Sequence, residues 1–165
     1  MPRRFRAPRR PVKSLGPDCF RLMIDDDERA LVARLFEQLR GLVTEAPAAD
    51  PRLRRLFPTA YHDDPERDVE YQRLMRDELL ASRLASLAEV EQVLTREFLT
   101  SDQLASFMRS LNAVRLVLGT LLDVGEETEA SELDQEDPLF VEHQLYAWLS
   151  WMLEHVVGAL RQGLA

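Results

Sequence analysis

The sequence is short of cysteine and glycine, and each shortage excludes a class of site. Its 165 residues include one cysteine, Cys19, so the chain cannot form an internal disulfide bond or a four-cysteine zinc site. Only six glycines are present and no two lie close together in a loop, which excludes a glycine-rich phosphate loop. No apolar run reaches the length of about 18 residues that a membrane crossing needs. We expect one domain in a soluble, cytoplasmic protein that does not enter a membrane.

The three histidines do not belong to a metal-binding or catalytic motif. None of His62, His143 and His155 follows a glutamate at a distance of three residues, the spacing that di-iron bundles use. The run His62-Asp63-Asp64 contains metal-ligand types, but capping of a helix explains its aspartates and is the interpretation we favour. The sequence therefore predicts no catalytic residue, no cofactor and no metal site.

Leucine dominates the apolar residues and indicates a helical protein. The chain has 28 leucines against 13 isoleucines and valines together, and leucine favours helix where the β-branched residues favour strand. Residues 19–24 alternate loosely and allow one short strand. Helices are predicted at about 26–44, 66–98, 100 or 101 to 124, and 137 or 138 to 162. The predicted fold is all-α, an antiparallel bundle of four to five helices with room for that one N-terminal strand.

The net charge of -8 is unevenly distributed along the chain. Residues 1–13 contain six basic side chains and no acid, whereas the remaining residues contain 15 basic and 29 acidic ones, a charge of -14. We predict that residues 1–17 form a disordered basic arm, because they offer too little apolar surface to offset the cost of ordering them, and that 18–165 form the helical domain. The arm is either a solubilising tail or a contact for phosphates or a partner. The candidate contact residues are Arg3, Arg4, Arg6, Arg9, Arg10 and Lys13.

A long acidic segment lies before the last predicted helix. Residues 123–142 include nine acids and no base, and their mutual repulsion predicts a mobile loop at about 124–137. A calcium loop is the disfavoured alternative, because Gly125 precedes the acids instead of lying among them.

Polar or bulky residues at unexpected positions mark candidate sites on the last two helices. Arg115 and Glu142 each fall within the apolar arc of a predicted helix, and an isolated buried charge is very costly. We predict that Arg115 pairs with Glu142 or another acid; a side chain reaching solvent and an anion-binding pocket stay open as alternatives. Trp151 lies outside its apolar arc beside His155, which makes this pair a candidate interface, although burial by another helix is favoured. Gly119 predicts a close helix crossing.

Several segments resemble a family of actinobacterial proteins of unknown function. They are LFPTAY at 56–61, DDPE at 63–66, LNAVRLVLGT at 111–120 and YAWL at 146–149, and the resemblance covers the chain from about residue 18 onward. The family's genes tend to lie beside that of the small adaptor of the Clp protease, and its members are sometimes labelled regulators, without a shared active site. The resemblance therefore implies a regulatory or interaction role. It also implies that Arg115 and Gly119 belong to the family's motif. Some members carry paired cysteines that suit a thiol switch, which Cys19 alone cannot form.

These observations predict a non-enzymatic regulatory protein that acts by binding another protein, in the transcription or the proteolysis machinery. The alternative is a transcriptional regulator that contacts nucleic acid through residues 1–13. A third and less favoured interpretation is a small-anion binder or enzyme centred on Arg115, which requires a concave pocket beside that residue. The sequence does not determine the oligomeric state, and a homodimer is one alternative.

Overall fold

Four long helices and a small antiparallel sheet make up the described part of the chain. The computed structural model describes residues 10–47, 49–125 and 135–164. In chain order the elements are β1 (Val12–Gly16), β2 (Cys19–Leu22), α1 (Asp26–Glu45), a 3-10 turn (Pro51–Leu53), α2 (Pro65–Val93), β3 (Phe98–Leu99), α3 (Ser101–Leu121) and α4 (Phe140–Gly163).

Local capping sets the starts of three helices. The Asp25 carboxylate accepts a hydrogen bond from the backbone N–H of Glu28, whose own carboxylate accepts one from the backbone N–H of Asp25. Thr100 and Gln103 make the same reciprocal pair at the start of α3, and Asp64 caps α2. Each cap satisfies backbone N–H groups that the first turn of a helix leaves without a partner. The capping role predicted for the aspartates at 63–64 is confirmed at Asp64.

The predicted all-α bundle is wrong, because a three-stranded antiparallel sheet in the order β1-β2-β3 accompanies the helices. Val12 pairs with Leu22 and Ser14 with Phe20, and Phe20 in turn pairs with Leu99. The side chains of Phe20 and Leu22 point to the same face of β2, since side chains alternate along a strand, and both are fully buried. Burial of this apolar face offsets the cost of ordering a segment that composition alone assigns to a loop.

Two boundaries change because of the sheet. Residues 12–16 form β1, although the prediction placed them in the disordered arm. The second predicted helix extends to residue 98, but α2 ends at Val93 and Phe98 belongs to β3. The guanidinium of Arg29 donates to the carbonyl oxygens of Leu94 at 2.8 Å and Arg96 at 3.1 Å, which holds the chain as it leaves α2.

Helix α3 lies at the centre and packs against both α2 and α4. The rings of Phe36 in α1 and Phe107 in α3 meet edge to face, with centroids 6.1 Å apart. Helix α4 in turn packs against β1, so the N-terminal strand and the C-terminal helix lie side by side. Within the described ranges, no helix has both the length and the hydropathy that a membrane crossing requires.

Candidate functional site

A cleft of about 730 Å³ lies where β1 packs against α4. One of its sides is a single face of α4, because the lining residues from Ser150 to Gln162 recur at helical spacing. The remaining lining residues are Arg10, Val12 and Lys13 near the N-terminus and Arg115 of α3. We call this feature the basic cleft.

The basic cleft carries a local charge opposite to that of the whole chain. Its lining includes four cations, Arg10, Lys13, Arg115 and Arg161, against one acid, Glu154. None of the four forms an ion pair with a carboxylate in the described part of the chain. Concave surfaces of one sign focus the field and raise the local concentration of oppositely charged groups. The cleft therefore suits an anionic group.

Arg115 reaches the cleft from α3, and its partners there are neutral. Its guanidinium donates to the Tyr146 hydroxyl at 3.2 Å and to the Asn112 side-chain oxygen at 3.4 Å. Its Nε is buried without a hydrogen-bond partner among the described residues, as is the hydroxyl of Ser150 in the same lining. The structure does not bring Arg115 and Glu142 together, so the predicted ion pair is not formed. The reason is that Tyr146, one helical turn after Glu142, occupies the place opposite Arg115.

Gly119 lets Tyr146 approach α3. A Cβ atom at Gly119 would lie 3.0 Å from Cε2 of Tyr146 and 2.9 Å from Nη1 of Arg55. Both distances are shorter than ordinary contacts between non-bonded heavy atoms. The close helix crossing predicted at Gly119 is therefore present, and it places the Tyr146 hydroxyl within reach of Arg115.

Trp151 and His155 lie one turn apart on α4, and only His155 lines the cleft. Their ring centroids are 4.7 Å apart, and Nδ1 of His155 lies 2.9 Å from the backbone oxygen of Trp151. Trp151 is half-buried and packs against the hydrophobic core. These contacts hold the imidazole of His155 at the cleft, and the role of the pair as an interface stays a prediction.

The predicted contact residues of the arm divide into two groups. Arg10 and Lys13 line the basic cleft. The other four contact residues lie outside the described residues and are Arg3, Arg4, Arg6 and Arg9. Residues 126–134 of the predicted acidic loop also lie outside the described residues.

The remaining candidate groups have structural positions away from the cleft. Cys19 is exposed on β2 and does not line the cleft. Asp64 accepts a hydrogen bond from the backbone N–H of Arg67 at 3.1 Å, so it acts as the cap that we favoured. Among the described residues, no group of three histidine, cysteine or acidic side chains is arranged to hold a metal ion.

Sequence reasoning found Arg115 and His155 but missed the cleft that joins them to Lys13 and Arg161. The missed signal is a hairpin. Residues 12–15 precede the turn residues Gly16, Pro17 and Asp18, and the short apolar alternation from residue 19 follows. Because β1 and β2 form this hairpin, Lys13 is fixed beside α4, where it lines the cleft. A disordered arm would not fix its position.

Comparison with known proteins identifies related sequences. A family model described as a domain of unknown function, DUF2017, matches residues 3–160. Proteins from Mycobacterium tuberculosis (strain H37Rv) and Mycobacterium bovis, each named "Oxidative stress regulator AosR", are 25% identical over 158 residues. These matches cover 84% of this chain and 72% of each relative. No solved structure gives a significant match.

Proposed function

The chain belongs to the DUF2017 family, and from that premise we propose that it is a non-enzymatic regulatory protein that binds an acidic segment of a partner protein in the basic cleft. The names of the two mycobacterial relatives support a regulatory role. The partner belongs to the transcription or the proteolysis machinery, the two settings predicted from the sequence.

The observation that carries the proposal is the set of four cations that line the cleft and have no ionic partner among the residues that the structure describes. A carboxylate of a partner protein would supply the missing acceptor, and arginine binds carboxylates through two parallel hydrogen bonds. Because the chain as a whole is negative, the attraction is confined to the cleft and favours a short acidic segment over an extended anionic surface.

A purification from the native host tests the proposal. The tagged chain is compared with Lys13→Glu, which reverses one exposed charge of the cleft, and with Arg34→Glu, the same change of charge on the exposed face of α1. We expect one stoichiometric partner with the wild type and with Arg34→Glu, and its loss with Lys13→Glu. Equal recovery of the partner with both variants would mean that the cleft is not the binding surface.

Nucleic acid is the second candidate partner, because the cleft continues into the arm. Arg10 and Lys13 line the cleft and directly follow the basic residues at positions 3–9. This alternative predicts DNA binding that weakens steeply with salt and disappears when residues 2–9 are deleted. The deletion must stop before Pro11, whose carbonyl oxygen accepts a hydrogen bond from the backbone N–H of Met23 at 2.7 Å, since a longer deletion would disrupt the sheet.

A further inference from the structure

A second cavity lies among α1, α2 and α3, away from the basic cleft, and has a volume of about 270 Å³. Leu39 and Val43 of α1 form part of its apolar wall. Its polar residues come from α2 and α3. They are Ser82, Arg83, Ser86, Arg109, Ser110 and Asn112. Among the residues that the structure describes, no acid lines this cavity. We call it the inner cavity.

Two hydrogen-bonding groups of the inner cavity have no partner in the described part of the chain. The Ser110 hydroxyl is buried, with 2% of the residue exposed, and the Nε of Arg83 is buried as well. A buried polar group without a partner is costly, because it has lost its hydrogen bonds to water and gained none in return. Two such groups in the lining of one cavity indicate a place where an acceptor belongs.

Arg83 brings a positive charge that no described carboxylate neutralises. Its guanidinium donates to the backbone oxygen of Leu56 at 3.0 Å, and its Cζ lies 5.9 Å from the centre of the Phe57 ring. Burial holds the pKa of Arg83 below its ordinary value, because the charged form loses its hydration. An anion in the cavity would restore an ionic partner.

Arg109 is held in place at the same cavity. It donates to the Ser86 hydroxyl at 3.3 Å and to the Ser106 hydroxyl at 2.9 Å. The Ser106 hydroxyl also donates to Glu89, which does not line the cavity. Glu89 is therefore linked to Arg109 through the Ser106 hydroxyl. No described carboxylate is linked to Arg83 in this way.

We propose that Arg83 and Ser110, assisted by Arg109 and Ser86, bind a small oxyanion, a phosphate or carboxylate group, in the inner cavity. The volume admits a small ligand and lies just below the range of about 300–1,000 Å³ that is usual for larger ones. This proposal is independent of the partner proposed for the basic cleft.

Calorimetric titration and thermal unfolding of the full chain test the proposal with inorganic phosphate and, separately, with acetate. The buffer is Tris-chloride at fixed ionic strength, since screening alone alters stability. We expect one bound anion per chain. At 100 times its Kd, the anion should raise Tm by about 5–10 °C. Tight binding of phosphate or of acetate supports the site and identifies the class of ligand, whereas binding of neither would overturn the proposal.

Three variants locate the bound anion. Arg83→Met should weaken binding at least about tenfold, because it removes a charge-assisted hydrogen bond. Ser110→Ala should weaken binding about fivefold without destabilising the free protein, since the lost hydroxyl has no partner there. Arg76→Met is the matched control, because this substitution removes the same charge from α2. Arg76 also contacts Phe57, with its Cζ 4.2 Å from the ring centre, but it does not line the inner cavity. Its affinity should stay within about twofold of the wild type.

The variants also separate the two cavities. If phosphate binding survives Ser110→Ala and Arg83→Met but is lost in Arg115→Met, the anion occupies the basic cleft and the proposal is overturned. Ser110→Ala keeps the test valid if Arg83→Met does not fold.

Discussion

Replacing Arg115 with methionine should leave a folded protein that no longer binds its partner. Arg115 lines the basic cleft, yet its contacts in the free chain are with the neutral groups of Tyr146 and Asn112. Methionine keeps an unbranched apolar stem of similar length and removes the charge. The substitution therefore separates the role of this residue in the cleft from any role in holding the helices together.

The loss of stability can be bounded from the contacts of Arg115. The two hydrogen bonds, at 3.2 and 3.4 Å, are long, and each contributes at most about 1 kcal/mol. The contact with the Tyr146 ring, 5.7 Å from its centre, contributes about 0.5–1 kcal/mol. Against these losses, removal of the buried and unpartnered Nε recovers about 1–3 kcal/mol. The free energy of unfolding should thus change by less than about 2.5 kcal/mol in either direction, or about 5–10 °C in Tm.

Urea unfolding followed by circular dichroism measures this change for Arg115→Met, Glu142→Gln and the double variant. The structure predicts less than about 0.5 kcal/mol for Glu142→Gln, because the two side chains do not meet. A buried ion pair would behave differently, since breaking one costs about 3–5 kcal/mol. A loss above about 3 kcal/mol for Arg115→Met, or a coupling energy above about 1 kcal/mol in the double variant, would refute the arrangement described here.

Three further predictions concern local features of the fold. Burial raises the pKa of the Glu28 carboxyl in the folded protein. The stability that Glu28 contributes is therefore full below the unfolded pKa of 4.5 and is lost as the pH rises through the folded pKa. Glu28→Gln, which keeps the capping oxygen, should remove that part of the pH dependence of urea unfolding. Gly119→Val should cost about 1–3 kcal/mol by overpacking against Tyr146, whereas the same change at Gly158, where an added Cβ meets no atom within 4 Å, should alter stability by less than about 1 kcal/mol in the same assay. Diamide treatment should yield disulfide-linked dimers through the exposed Cys19, and a chain that stays monomeric on a non-reducing gel after the treatment would contradict the exposure of this thiol.

The helices could be predicted because their signals are local. Leucine spacing and the caps at Asp25, Asp64 and Thr100 set α1, α2 and α3 within a few residues of their observed starts. β3 could not be predicted, since a strand of two residues shows no periodicity and is stabilised by pairing with β2, far away in the sequence. β3 therefore lay beyond the reach of any argument from neighbouring residues, whereas the hairpin of β1 and β2 has a local turn signal.

The candidate site was predictable in part for the same reason. Helical periodicity identified Arg115 as a polar residue on an apolar face, which needs only the positions within one helix. Periodicity does not determine which residue of a facing helix lies opposite. Glu142 and Tyr146 occupy the same face of α4, and the depth at which Gly119 lets α4 approach selects the tyrosine.

The contact between the N-terminal hairpin and the start of α3 has a consequence for how the protein is made. Ser101 donates its backbone N–H to the carboxylate of Asp18 at 2.7 Å, across 83 positions, just beyond the pairing of Phe20 with Leu99. During synthesis the N-terminal hairpin emerges first, and an isolated two-stranded hairpin is only marginally stable. The apolar face of β2 is incompletely covered until β3 and α3 have been synthesised, and the ring of Phe20 also packs against Gly163 at the end of α4. A nascent chain halted before residue 99 should therefore expose this face to aggregation or to chaperones, whereas the completed chain buries it.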